Sequence, residues 1–315
     1  MKNIIKSIIL LLFVSFIVTA CGEDDPTKKN ENELTIYTSI YPIQFIVERI
    51  AGDTLSVFSV YPPGVDAHSY EPTAKDMTKV ADSDAFFYLG AGLEAFAETT
   101  ADALQNEDVT MLEIGSHEEL FHMEDEDDHH EELEHDGHHH GDHDPHIWID
   151  PKRMIEMASI IKDELIQLNP ADKTLYQTNF EKLEKDLLDL DDEFVSTLES
   201  KAHKKILVSH AAYGYWEERY GIEQISINGL SSSSEPSQKE LTEIIDQARE
   251  YDLNYIIFEQ NSSNRVSEII QSELGIESIT IHNLSVLTDE DIQNNEDYLS
   301  LMRDNLQVLD DVTNE

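Results

Sequence analysis

Histidine is the residue through which this chain can do chemistry, and ten of its 14 histidines lie between His117 and His146. His129, His130, His135, His138, His139, His140 and His143 are interleaved there with carboxylates, beginning at Glu124-Asp125-Glu126-Asp127-Asp128. Neutral imidazole is a leading ligand for Zn2+, and mixed imidazole and carboxylate tracts chelate such ions. The stretch from Glu124 to His140 is almost without apolar residues, so it cannot bury a core and reads as a mobile segment of an acidic His-rich loop over about 117–143. This composition points to metal capture and fixes no geometry.

Three other histidines stand in ordered surroundings. His68 lies in Tyr61-Pro62-Pro63-Gly64-Val65-Asp66-Ala67-His68-Ser69-Tyr70-Glu71-Pro72, His146 in Asp144-Pro145-His146-Ile147-Trp148-Ile149-Asp150-Pro151, and His210 directly after Ile206-Leu207-Val208-Ser209. Taken singly, each reads more readily as a satisfied structural histidine than as a ligand. Their spacings, 146 − 68 = 78 and 210 − 146 = 64 residues, match no local zinc motif. Only the fold can bring them together.

The elements available to do so fall into two series. Leu34–Thr38, Leu55–Val60, Ala85–Leu89 and Val109–Ile114 read as strands, with helical stretches at Ile43–Ala51 and Thr73–Ala81. Lys205–Ser209, Glu223–Ile227, Tyr255–Phe258 and Ser278–Ile281 form a second set. Strand, helix, strand at this spacing is the signature of a parallel sheet. Ser237 and Glu240 form a capping box ahead of Leu241, Ile244, Ile245 and Ala248, and Asn261 or Ser262 is placed to cap the next helix. Between the two series Tyr176, Phe180, Leu183, Leu187, Leu190, Phe194 and Leu198 recur three or four apart, one apolar stripe on a charged helix from about Ala171 to Ser200. Thirty helical residues reach about 45 Å, enough to run along two lobes. The expected architecture is α/β, two (β/α)4 lobes with parallel sheets joined by a long backbone helix. Its parts are an N-terminal lobe over 34–165, a linking helix over 166–203 and a C-terminal lobe over 204–315. Ligands of open parallel sheets bind at the carboxyl ends of strands, so a cleft between the lobes is the expected site.

The N-terminus carries a separate signal. Lys2 and Lys6 precede an apolar run from Ile8 to Val18 broken only by Ser15, and Thr19-Ala20 lead into Cys21, the single cysteine. The order is that of a secretory signal over 1–20, with a core too short to span a membrane comfortably. It is similar to a bacterial lipobox, which implies cleavage before Cys21 and its lipidation. Residues 21–33, polar and without aromatics, read as a flexible tether. Asp and Glu number 66 against 21 Lys and Arg, so nucleic acids and anionic lipid head groups are poor partners while cations are good ones.

Pro-Pro-Gly-x-x-x-His-x-Tyr-Glu-Pro, Asp-Pro-His-x-Trp-x-Asp-Pro and Ser-His-x-Ala-Tyr-x-Tyr occur in that order. Together they resemble the metal-binding lipoproteins of bacterial ABC importers, the cluster A-I solute-binding family. The resemblance runs from about Leu34 to the end, and the acidic His-rich loop points to the zinc branch, ZnuA- or AdcA-like. It implies a monomeric receptor, lipid-anchored at Cys21 on the outer face of the cell membrane, which delivers Zn2+ to an ABC permease subunit. It implies His68, His146 and His210 as ligands, and histidine at 210 favours Zn2+ over Mn2+. The loop histidines would be auxiliary capture sites. The fourth ligand departs from the family pattern. Ser285 stands roughly where a carboxylate is expected, and Ala67 offers no donor. That leaves Glu259, His282 or water, with Glu259 better placed to accept the free N–H of a liganding histidine. Three histidines and a water would also suit a zinc hydrolase, although no His-Glu-x-x-His or nucleophile motif occurs. A surface adhesin with a structural metal is a third reading.

Overall fold

A computed structural model describes residues 34–122, 143–260 and 265–313. The signal and tether with Cys21, the capping candidates Asn261 and Ser262, and His129, His130, His135, His138, His139 and His140 lie outside the described residues.

The chain order is β1 (Leu34–Thr38), α1 (Tyr41–Ala51), β2 (Leu55–Ser59), α2 (Ala74–Ala81), β3 (Ala85–Tyr88), α3 (Ala95–Leu104) and β4 (Thr110–Glu113). Next come two helices, α4 (Pro151–Leu168) and α5 (Lys173–Leu198). The second half runs β5 (Lys205–His210), α6 (Gly214–Tyr220), β6 (Glu223–Asn228), α7 (Gln238–Glu250), β7 (Tyr255–Glu259), α8 (Arg265–Leu274), β8 (Glu277–Ile281), α9 (Asp289–Asn294) and α10 (Tyr298–Val312). Each half forms a four-stranded sheet, in the orders β2-β1-β3-β4 and β6-β5-β7-β8, and every pairing is parallel. All eight sequence-predicted strands are present, within a residue or two at their ends. Ser237 and Glu240 make the expected reciprocal cap on α7.

Helix α4 was not separated from its neighbour by sequence. Asp150 caps it by accepting the Lys152 N–H, and Pro151 sits at its first position, where a missing N–H costs nothing. Asn169-Pro170 ends it and a single 3-10 turn over Pro170–Asp172 restarts the chain. The long helix is therefore 26 residues, Lys173–Leu198, and residues 166–168 belong to α4. Its apolar stripe packs inward: Tyr176, Leu183, Leu187, Leu190, Phe194 and Leu198 are fully buried, each stabilising by about 1.5–3 kcal/mol, while Phe180 is only partly covered.

The main core crosses from one sheet to the other. It runs without a break from Ile36, Ile46 and Phe87 through Trp148, Leu187 and Phe194 to Trp216, Tyr298 and Leu309. A smaller cluster of Leu207, Ile227, Ile244, Ala248, Ile256 and Ile270 lies between the second sheet and its helices. Polar ties follow the shared core. Trp148 Nε1 donates to the Asn283 carbonyl at 2.8 Å, Trp216 Nε1 to Ile149 O at 2.8 Å, and Tyr298 Oη to Trp148 O at 2.7 Å. Arg153, buried on α4, reaches Asp150 Oδ2 at 2.6 Å, Leu120 O at 2.9 Å and Glu218 on α6 at 2.9 and 3.0 Å. The start of the His-rich tract is thus not loop. Glu118–Leu120 is a 3-10 turn, Leu120 is fully buried and Phe121 nearly so.

Candidate metal centre

The carboxyl ends of both sheets face one another, and three histidines meet there. The loop after β2 places His68. Gly64 turns the chain at φ +78°, and Tyr61 Oη holds the carbonyl of buried Ala67 at 3.0 Å. The Asp66 carboxylate accepts the His68 N–H at 2.8 Å. His146 repeats that device. Asp144 Oδ1 accepts the His146 N–H at 3.0 Å and its Nδ1–H at 2.6 Å, which leaves Nε2 as the unprotonated nitrogen. An Asp two residues before the histidine is the common signal, present in sequence as Asp66-x-His68 and Asp144-x-His146. His210 ends β5, and β7, the neighbouring strand, ends in Glu259. Strand order reverses between β5 and β7, the position where open sheets form a crevice.

The His68 and His146 Nε2 atoms are 3.2 Å apart. One ligating nitrogen from each of His68, His146 and His210 can be chosen so that all lie within 4.8 Å of one another. Ring centroids are separated by 5.3, 5.1 and 4.9 Å for the pairs 68–146, 68–210 and 146–210. Zn–N bonds of about 2.0–2.1 Å in a tetrahedron put neighbouring ligand atoms about 3.3 Å apart, so the 68–146 pair already has that edge. His146 and His210 are almost wholly buried and His68 is half-buried.

The surroundings set the protonation of each ring differently. Burial, reinforced by the neighbouring His146 and His210, pushes the His68 pKa down to about 4, so its ring stays neutral. Burial acts the same way on His210, but the Glu259 carboxylate outweighs it and raises the pKa above the usual value. His210 Nδ1 donates to Glu259 Oε1 at 2.7 Å, and its Nε2 lies 2.9 Å from the Leu230 carbonyl. Burial would raise Glu259; the hydrogen bond and charge of His210, with Asn283, hold its carboxyl below the ordinary range. Asn283 Nδ2 donates to Glu259 Oε2 at 2.9 Å, and Tyr213 Oη lies 3.4 Å from Oε1.

The fourth-ligand candidates separate clearly. Both oxygens of Glu259 are engaged behind His210. His282 is turned away from the cluster: its Nδ1 accepts the Leu284 N–H at 2.9 Å and its Nε2 donates to Asp291 at 3.1 Å. Ser285 is committed to a turn, with N–H and Oγ both directed at Asn283 Oδ1 at 3.1 and 2.9 Å. Among the described auxiliary histidines, His143 lies at the mouth of the His-rich tract near Glu118 and His122, residues that sequence reading did not single out together.

The family model for the zinc-uptake complex component A, periplasmic (ZnuA), matches residues 36–312. The chain belongs to the ZnuA family. Among ZnuA relatives, it is 32% identical over 324 residues to the zinc-binding lipoprotein AdcA of Streptococcus pneumoniae, an alignment covering 100% of this chain and 62% of that protein. The chain therefore spans about three fifths of the length of these curated relatives. It is 28% identical over 298 residues to the high-affinity zinc uptake system protein ZnuA of Bacillus subtilis, covering 94% and 93% of the two. The Zn(II)-bound ZnuA-like domain of S. pneumoniae AdcA superposes with a TM-score of 0.73 at 30% identity, over 90% of this chain and all of that one. The laminin-binding protein Lmb of Streptococcus agalactiae, described as having adhesin and metal-transporting activity, gives 0.75 at 28% over 89% and 99%. No helix among the described residues is long and apolar enough to cross a membrane.

Proposed function

We propose that this ZnuA-family chain is the extracytoplasmic zinc receptor of an ABC importer, which captures Zn2+ between its lobes and passes it to a membrane permease. The observation that carries the reading is the convergence of His68, His146 and His210 from both lobes, with a carboxylate behind two of the three rings. Asp144 and Glu259 accept hydrogen bonds from Nδ1–H of His146 and His210, so Nε2 of each is the nitrogen for the ion. His68 closes a third corner of the tetrahedron and water takes the fourth. Capture exchanges the Leu230 carbonyl for the ion at His210 Nε2, so the segment after β6 yields as the ion enters. Three imidazoles and one water favour Zn2+ over Mn2+, which prefers oxygen.

Lipidation at Cys21 would hold the receptor on the outer face of the cell membrane, and His129, His130, His135, His138, His139, His140 and His143 would raise the local concentration of cations. A zinc hydrolase fits less well. Glu259 has both oxygens occupied and cannot serve as a general base toward a zinc-bound water. An additional adhesin role is motivated by the likeness to Lmb and is tested by laminin binding with and without metal.

Calorimetric titration with Zn2+ decides the main reading. The expected result is one tight equivalent that each of His68→Ala, His146→Ala and His210→Ala weakens by orders of magnitude, with no turnover of esters or peptides. Unchanged affinity in His210→Ala would remove that residue from the site.

A further inference from the structure

Beyond the end of β3 stands a buried carboxylate that is not among the ligand candidates. Glu94 immediately precedes α3, is almost wholly enclosed, and turns its side chain back over the residues between strand and helix. Its Oε1 accepts the Ser39 Oγ–H at 2.5 Å and the Leu89 N–H at 3.2 Å, and its Oε2 accepts the Gly90 N–H at 2.8 Å. The turn held in this way is left-handed at three successive residues, Gly90 at φ +75°, Ala91 at +51° and Gly92 at +75°. For Ala91, which carries a Cβ, that backbone is strained and persists only where the surroundings enforce it.

From this node a chain of hydrogen bonds leads to the His68 loop. Ser39, fully buried at the end of β1, offers its carbonyl to Ser59 Oγ–H at 3.1 Å, and Ser59 Oγ accepts the Tyr61 N–H at 3.0 Å. Tyr61 Oη then holds the carbonyl of Ala67, the residue before His68. The Tyr61 ring also packs edge to face on Phe96, two residues beyond Glu94, with centroids 5.8 Å apart. We propose that Glu94 is a positioning residue for metal capture, which seats Tyr61 and through it fixes where the His68 ring stands. The proposal rests on His68 being a ligand.

The second lobe uses the same device. Ile36 is level with Ala85 and Leu207 with Ile256, so Ser39, three residues past Ile36, matches His210, three residues past Leu207. Each is fastened by a buried carboxylate at or beyond the end of the neighbouring strand, Ser39 by Glu94 and His210 by Glu259. In the second lobe the carboxylate orients a ligand directly, and in the first it orients the strand end beneath one. Burial pushes the Glu94 carboxyl up to about 7, so its charge gives the fold little at neutral pH. A carboxylate that only tied β1 to β3 would affect folding and leave the His68 ring in place. A double-mutant cycle separates the two roles.

The test uses full-length protein in which the nine histidines from His117 to His143 are replaced by glutamine, so that only the cleft is read. Zn2+ affinity is measured by competition with a chromophoric chelator. Glu94→Gln turns an amide NH2 toward one of the donors that the carboxylate served, and is expected to weaken binding about tenfold, the lower end for groups that orient a ligand. The same substitution should cost less than twofold in a His68→Ala background and still about tenfold in His210→Ala, because coupling appears only between residues that act together. Where Glu94→Gln fails to fold by circular dichroism, Ser39→Ala, which removes only the hydroxyl at the first link, takes its place under the same criteria. An affinity within twofold of the parent, or a deficit that persists in His68→Ala, overturns the proposal. Unchanged affinity in His68→Ala alone would instead sink the ligand reading on which it rests.

Discussion

Replacing Glu259 with glutamine tests the proposed centre through the carboxylate that stands behind His210. Donors to this carboxylate among the described residues include His210 Nδ1–H at 2.7 Å, Asn283 Nδ2–H at 2.9 Å and Tyr213 Oη at 3.4 Å. Glutamine keeps one acceptor oxygen and turns a new NH2 toward either His210 or Asn283, so one donor loses its partner. If the oxygen stays on His210, the ring keeps its tautomer but loses the charge that makes Nε2 basic. Outer-shell losses of this kind cost 10–100-fold in metal affinity, about 1.4–2.7 kcal/mol. A second effect runs the other way. Glu259 raises the His210 pKa, so in the wild type a proton competes with the ion at a higher pH than at a free histidine. Removing the carboxylate lowers that pKa and relieves the competition. The Glu259→Gln deficit should therefore be largest above the wild-type His210 pKa and shrink as pH falls through it. Competitive zinc titration with a chromophoric chelator at several pH values measures both. A variant within twofold of wild type at pH 8, or a deficit that widens on acidification, would refute the reasoning.

Three other outcomes follow from the geometry. Arg153→Ala strands fully buried Asp150 without its guanidinium and should cost about 3–5 kcal/mol in urea unfolding; a loss under about 1 kcal/mol would mean that Asp150 finds another partner. Glu94, fully buried, has its pKa pushed up to about 7 by burial, so it opposes folding progressively as pH rises from about 4.5 to 7. Relative to Glu94→Gln, the wild type should lose about 3 kcal/mol over that window, and parallel stability curves would exclude it. Scattering profiles with Zn2+ and with chelator should superimpose, because the core and the Trp148, Trp216 and Tyr298 ties hold the lobes together; a large change in radius of gyration would favour a hinged clamp.

Local signals made most of the fold legible. Short apolar runs between turns gave all eight strands, and the Ser237–Glu240 box marked its helix start. The stripe from Tyr176 to Leu198 marks the long helix, but a linking helix that starts at 166 merges it with Pro151–Leu168, which carries its own apolar face into the same stretch. Pro170 is the residue that separates them. At the site, sequence supplied three histidines and no geometry, since separations of 78 and 64 residues become contacts only through facing sheet ends. The Asp-x-His turns were visible as letters, while their role depends on backbone direction. Composition puts the start of the charged tract at about 117, whereas Leu120 and Phe121 are core. A deletion that begins at Glu118 would thus damage the lobe.

The core that runs unbroken between the sheets also governs how the molecule can come apart. Neither half closes its own interior: Phe194 packs on Trp216 and Tyr220, and Phe45 on Tyr298, across what the topology alone would suggest as a boundary. Cutting the chain in the long helix would bare these faces on both fragments, so the halves are not separable modules despite their matching strand orders. Residues 34–313 should melt as one cooperative unit in calorimetry. Exchanging a lobe between relatives would require exchanging the helix and the aromatic seam with it. Evolution of metal choice in such a scaffold is therefore confined to the loops at the strand ends, where a side chain can change without reopening the seam.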